Sequence, residues 1–158
     1  MILLSNYDAL DARYFWNGDY NIQDGDIGDT SSDYLLSLLQ EVHSVAASSL
    51  RDWENYPNYG ATLDDFLGEP NTPSTASAIS NRLKISLIAA GVVEESDLAI
   101  KVVPIHANRV LVVIGISATP TAYNSLANGE KLITSLVYDT VEQQVVFLNT
   151  TPQLLPST

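Results

Sequence analysis

Asp52-Trp53-Glu54-Asn55-Tyr56-Pro57-Asn58-Tyr59-Gly60-Ala61-Thr62-Leu63-Asp64-Asp65-Phe66-Leu67-Gly68-Glu69-Pro70 is the stretch on which a reading of the fold turns. Rings at Trp53, Tyr56, Tyr59 and Phe66 are interleaved with prolines and glycines. Proline fixes φ and glycine opens positive φ, so the segment reads as a shaped loop followed by one short helical turn. Its expected structural residues are Tyr56, Pro57, Tyr59, Gly60, Phe66, Gly68, Glu69 and Pro70, with Tyr56, Tyr59 and Phe66 as core or loop anchors. Thr62 is the expected cap of the turn, Asp64 and Asp65 suit its positive end, and Gly68 and Pro70 stop it.

Upstream, Leu35, Leu38, Leu39, Val42, Val45, Ala46 and Leu50 recur at helical spacing from Asp33 onward. His43 lies off that stripe, which predicts a surface or boundary position. Downstream, Thr72 and Pro73 are a cap and a first helical residue, Ala76, Ile79, Leu83, Leu87 and Ala90 form a stripe, and Gly91 stops it. The period then changes to two. Residues 98–103 and 109–117 read as an antiparallel pair of strands with 104–108, including His106, as the connection. Residues 118–129 read as a polar loop, 131–138 and 144–148 as a last hairpin turning at Asp139-Thr140, and 149–158 as a loose tail. Near the start, Asn17-Gly18-Asp19 predicts a tight hairpin between 13–16 and 20–23, and Thr30-Ser31-Ser32 offers caps for the first helix.

The expected fold is therefore α+β. A small antiparallel or mixed sheet is packed by two main helices, with an N-terminal hairpin and a C-terminal β-hairpin. One domain spans 1–158: an acidic hairpin and turns over 1–32, an α+β core over 33–117, and a C-terminal hairpin and tail over 118–158. A chain of 158 residues, 46% of them hydrophobic, is long enough to bury a real core. Residues 1–70 hold 13 of the 19 acids but only Arg13 and Arg51, a net of −11 within the total of −12. That sign argues against nucleic acid or an anionic membrane as partner. There is no cysteine, hence no disulfide or thiolate chemistry. The apolar start Met1–Leu4 is too short for a signal core, and no run is long enough to span a membrane.

Catalytic and metal motifs do not assemble. Asp24 to Asp33 resembles a calcium loop but has Gly28 and Leu35 where ligands belong. Two histidines without cysteine make a zinc site improbable, and neither a nucleophile elbow nor a phosphate loop occurs. No catalytic residue, cofactor or metal is assigned. Paired carboxylates among Glu54, Asp64, Asp65, Glu69, Glu94 and Glu95, with Trp53 or Tyr56 to stack on sugar, leave a cell-wall glycosidase as the alternative. The last hairpin is long, apolar and nearly uncharged; it either completes the domain's own sheet or offers an edge to another chain.

The order of elements resembles a known family. A helix, Asn55-Tyr56-Pro57-Asn58-Tyr59-Gly60, Leu63, Phe66-Leu67-Gly68-Glu69-Pro70, a helix opening at Thr72-Pro73 and the strand pair 98–117 look like the sheath-initiator, or baseplate wedge, proteins of contractile phage tails. Gly18-Asp19-Tyr20, Asp24-Gly25-Asp26-Ile27 and Gln40-Glu41-Val42 are similar to their lead-in. Relatives carry Glu-Pro-Arg after the second helix for docking on the wedge bundle; residues 89–95 here lack it. The resemblance implies a virion protein of the tail baseplate, made in the host cytoplasm. Its implied partners are the tail sheath protein and the wedge proteins, and its implied role is nucleating the sheath by strand exchange. The implied pairing residues are Leu132, Ile133, Leu136, Val137, Tyr138, Val145, Val146, Phe147 and Leu148.

Overall fold

The computed structural model describes residues 22–23, 25–27, 34–117, 131–142, 144–149 and 151–155. Two helices pack on a five-stranded antiparallel sheet, an α+β fold. The expected strands at 13–16, the caps at 30–32 and the loop 118–129 lie outside the described residues, as does most of the calcium-like stretch. Strands β1 (Ile22–Gln23) and β2 (Asp26–Ile27) form a separate small hairpin, turning at Gly25 with φ 85°.

Helix α1 (Tyr34–Ala47) buries Leu38, Val42, Val45 and Ala46 in the main core, as their spacing requires. A 3-10 turn (Leu63–Phe66) follows, with Asp64 and Asp65 at its start. The expected Thr62 cap is not made: Thr62 sits at φ 49°, and its hydroxyl accepts from the Leu50 N–H at 2.8 Å instead. A residue in the left-handed region cannot aim its side chain at the following N–H groups as an extended cap residue does.

Helix α2 (Pro73–Ala89) starts as read, with Pro73 in its first turn and the Thr72 hydroxyl accepting from Thr75 N–H at 3.2 Å. It ends at Gly91, φ 74°, whose N–H donates to Ile88 while Val92 N–H reaches back to Leu87. Ile79, Leu83 and Leu87 are fully buried.

The sheet comprises β3 (Leu98–His106), β4 (Arg109–Ser117), β5 (Lys131–Asp139), β6 (Gln144–Phe147) and β7 (Gln153–Leu155). Its order is β3-β4-β5-β6, and β7 also pairs with β5. β3 outruns its expected end at 103: Pro104 still pairs with Val110, and the register breaks only between Pro104 and His106. As β3 lies on the edge, its proline removes no inner hydrogen bond. Val110, Val112, Ile114 and Ile116 stand opposite Tyr138, Leu136, Thr134 and Leu132, and these four pairs form the sheet's buried face. α2 lies against β3 and α1 reaches β6, so both helices cover that face.

Candidate functional site

The two edges of the sheet differ. β3 carries Lys101, Pro104 and the register break, three features that spoil an edge for further pairing. The opposite edge is shared end to end by β6, on Leu136–Asp139, and β7, on Lys131–Ile133. Gln144–Leu148 and Gln153–Leu155 contain no charged residue and no proline. Val146, Leu148, Leu154 and Leu155 are exposed there, Leu148 by 57%. The Leu148 N–H donates to Ser135 C=O at 2.8 Å. Alternation along an antiparallel strand then turns the backbone groups of Gln144 and Val146 toward β5 and those of Val145 and Phe147 outward. Among the described residues no strand pairs on that outer side, and an uncharged row of backbone donors and acceptors is what a pairing strand requires.

Between β6 and β7 the backbone ladder stops, and the Asn149 side chain takes its place. Its Oδ1 accepts from Ser135 N–H at 2.9 Å and from the Thr134 hydroxyl at 3.2 Å. Its Nδ2 donates to Ile133 C=O and to Thr151 C=O, both at 3.3 Å. A carboxamide has the donor and acceptor of a peptide group, so it satisfies the two backbone positions that a bulge would leave bare. The expectation of a loose tail is thus corrected over its described residues. Asn149 is buried, held by bonds that composition alone does not announce, and Gln153–Leu155 is a strand paired with Lys131–Ile133 of β5.

His43 joins this network from α1. Its Nε2 lies 3.0 Å from Thr134 Oγ1, and its ring stacks on Phe147 of β6 with centroids 3.7 Å apart. The surface or boundary position expected for His43 is overturned: the residue is buried on the flank of α1 that faces β5 and β6. Burial pushes its pKa down from 6.5 to about 4. With its hydrogen on Asn149 Oδ1, the Thr134 hydroxyl accepts from the neutral His43 tautomer protonated at Nε2; the other tautomer would take that hydrogen instead. Helix α1, inner strand β5 and the connection between β6 and β7 are thereby tied through one buried chain of hydrogen bonds, and the ring stack adds β6.

The pairing residues named from the sequence divide into two groups. Leu132, Leu136 and Tyr138 belong to β5 and are fully buried in the core, while Ile133 and Val137 lie half-buried on the sheet's other face. β5 has β4 on one side and β6 and β7 on the other, so its backbone has no free edge in the paired segments. Pairing through β5 is corrected accordingly, for the ladder has already used its hydrogen-bonding groups. Val145, Val146, Phe147 and Leu148 do lie on or beside the edge, with Val145 and Phe147 turned to the core. Leu154 and Leu155 of β7 join them, unread from the sequence because their strand is too short and too near Pro152 to show a period.

The loop residues divide as well. Tyr59 and Phe66 pack against the core, Gly60 is buried at φ 119°, and Gly68 N–H donates to Thr140 C=O at 2.9 Å. Pro57, Glu69 and Pro70 are exposed, although Pro70 C=O accepts from the Thr75 hydroxyl at 2.7 Å. Tyr56 is not an anchor: it is 67% exposed. His106 is the exposed last residue of β3 rather than part of a connection.

Among the described residues, the two carboxylates whose pKa departs from the ordinary value both move down. Asp139, gripped by the Arg109 guanidinium at 2.8 Å and by the N–H groups of Val141 and Glu142, falls to about 2. Glu95 is lowered by its hydrogen bond to Lys84. A glycosidase general acid needs the opposite shift. Among the described residues no cluster of three His, Cys, Asp or Glu is placed to hold a metal ion. No helix among them is long and apolar enough to cross a membrane. Comparison with protein-family models, curated proteins and solved structures finds no match.

Proposed function

We propose that this chain is a structural component of a contractile phage tail baseplate that nucleates sheath assembly by strand pairing. The observation that carries the reading is the uncharged edge of β6 and β7, beside a β3 edge that is blunted. The motif order from Asn55 to Ser117, with its resemblance to sheath initiators, supplies the identity of the partner. A strand of the first sheath ring would add outside β6, bonding to the backbone groups of Val145 and Phe147. The His43–Thr134–Asn149 chain fixes the connection between β6 and β7 to β5, and an edge ordered before the partner arrives lowers the entropic cost of pairing.

The test is a cryo-electron microscopy map of the assembled particle, together with assembly of purified sheath protein on Val146→Lys and Leu148→Lys variants. A sheath strand beside residues 144–148, and loss of sheath nucleation in both folded variants, is the expected result. A map in which this chain lies away from the sheath, or variants that nucleate normally, would refute it.

A further inference from the structure

The loop between α1 and the 3-10 turn is built more firmly than a connector needs to be. Arg51 N–H donates to Pro57 C=O, Tyr56 N–H to Trp53 C=O, and Tyr59 N–H to Tyr56 C=O. Ala61 N–H and Thr62 N–H close the base of the loop on Val45 C=O and Ser48 C=O. The Asp52 carboxylate accepts from Ser49 N–H at 2.7 Å, and Trp53 Nε1 donates to Ser48 Oγ at 3.2 Å. Among the described residues, the two non-glycine positions with positive φ are Arg51 (74°) and Thr62 (49°), and both lie in this loop. Such backbone is retained only where the surroundings enforce it, and it gathers at functional surfaces.

What the loop holds out is apolar. Tyr59, Ala61, Leu63 and Phe66 face the core and account for the loop's structural duty. Leu50, Trp53 and Tyr56 face water, 48%, 49% and 67% exposed. Trp53 is set edge-on to Tyr59, with centroids 6.0 Å apart. A fixed tryptophan and tyrosine in the open are the side chains that dominate protein interfaces, because they bring large contact area at small entropic cost. Asp52 and Glu54 flank Trp53 in the chain, Asp64 accepts from the Ser49 hydroxyl at 3.2 Å, and Arg51 is the one cation between residues 48 and 69. Asp65 is taken up by Arg82 at 2.8 Å.

We infer that residues 49–59 are a second docking surface, separate from the β6–β7 edge, and that its occupant is a cationic, apolar-centred face of another protein. Rings provide the desolvated centre and can receive lysine or arginine on their faces, while the carboxylates form a negative rim. A second copy of a chain carrying −12 would meet like charge across such a contact. The surface would leave the strand edge free, so one chain could hold two partners at once, as an adaptor must.

The test uses the full chain, labelled with 15N, and two synthetic amphipathic helical peptides, one of leucine and lysine and one of leucine and glutamate. The lysine peptide is expected to shift the Trp53 indole signal and the amides of 50–58, the glutamate peptide to leave them in place. Tyr56→Ala should weaken the lysine peptide by tenfold or more without moving the thermal midpoint, on the scale of about 1.4 kcal/mol or more for an aromatic anchor. Glu54→Lys should weaken it several-fold, and Val146→Lys, on the strand edge, should not weaken it. Absence of binding overturns the proposal. So does binding that spreads over Glu94, Glu95 and Glu142 with Tyr56→Ala unaffected, which would be charge attraction alone. Self-association abolished by Tyr56→Ala would make the occupant a second copy and overturn it too.

Discussion

Replacing His43 by phenylalanine separates titration from packing in the network beneath the edge. In the native chain the folded state holds His43 neutral, with its pKa lowered from 6.5 to about 4 by burial. A lowered histidine pKa contributes stability that is fully present above 6.5 and lost as pH falls toward 4, because the unfolded chain binds the proton first. At about 1.4 kcal/mol per unit, the loss across that window is roughly 3 kcal/mol. Phenylalanine keeps a ring to stack on Phe147, leaves the Thr134 hydroxyl still donating to Asn149, and removes the His43–Thr134 bond. The variant should be less stable at pH 7 by about 1 kcal/mol, the net worth of one hydrogen bond. Its stability should lack the histidine slope between pH 6.5 and 4. Urea unfolding followed by circular dichroism at half-unit pH steps gives both curves, and their difference isolates His43 from the carboxylates that titrate near pH 4. Parallel curves for the two proteins, or a native histidine titrating near 6.5 by NMR, would refute the buried neutral assignment.

Asn149→Ala would leave Ser135 N–H and Ile133 C=O without their side-chain partners, and the expected cost is about 2–3 kcal/mol in urea unfolding, with faster exchange of the Ser135 amide. Gly60→Ala places a Cβ at 2.7 Å from Ser48 C=O and 2.8 Å from the Ser49 backbone at φ 119°; a drop of about 2 kcal/mol or more is expected by calorimetry. Tyr138→Phe removes the 2.6 Å bond from its hydroxyl to Leu63 C=O, for about 1 kcal/mol at neutral pH. Burial and then the charge of Asp64 push the Tyr138 pKa up to about 12, so the native chain should lose stability from pH 10 upward through that value. The phenylalanine variant should not show that loss in the same alkaline titration. Thr72→Ala deletes the cap on Thr75 N–H and should lower stability by about 1 kcal/mol.

Local chemistry is what the sequence displays, and every element that local chemistry defines was legible there. The stripe of α2, its Thr72 cap and Gly91 stop, the β-branched run of β4 and the turn at Asp139-Thr140 follow from propensity, capping and period. The carboxylates of the 3-10 turn and the core-facing Tyr59 and Phe66 belong with them. His43 was misplaced because a single stripe describes one contact, whereas α1 buries a second flank against β6. Asn149 read as loop because nothing in its neighbours announces a peptide mimic; only the opposed Ile133 and Ser135, fourteen to sixteen positions away, give it that role. Thr62 read as a cap because its type allows one, and the path of the chain chose another conformation. The apolar hairpin held the widest ambiguity, since an interior strand and an offered edge have the same composition. Strand order shows that the hairpin completes the chain's own sheet and that, among the described residues, β6 and β7 lie on its edge. β5 is enclosed by β4 on one side and β6 with β7 on the other, and among the described residues the backbone left without a strand partner passes to Val145 and Phe147 by alternation. Composition and period determine which segments form strands and helices, because those are short-range preferences. Which backbone groups are left over is a property of the assembled sheet, decided only after every long-range pair has formed.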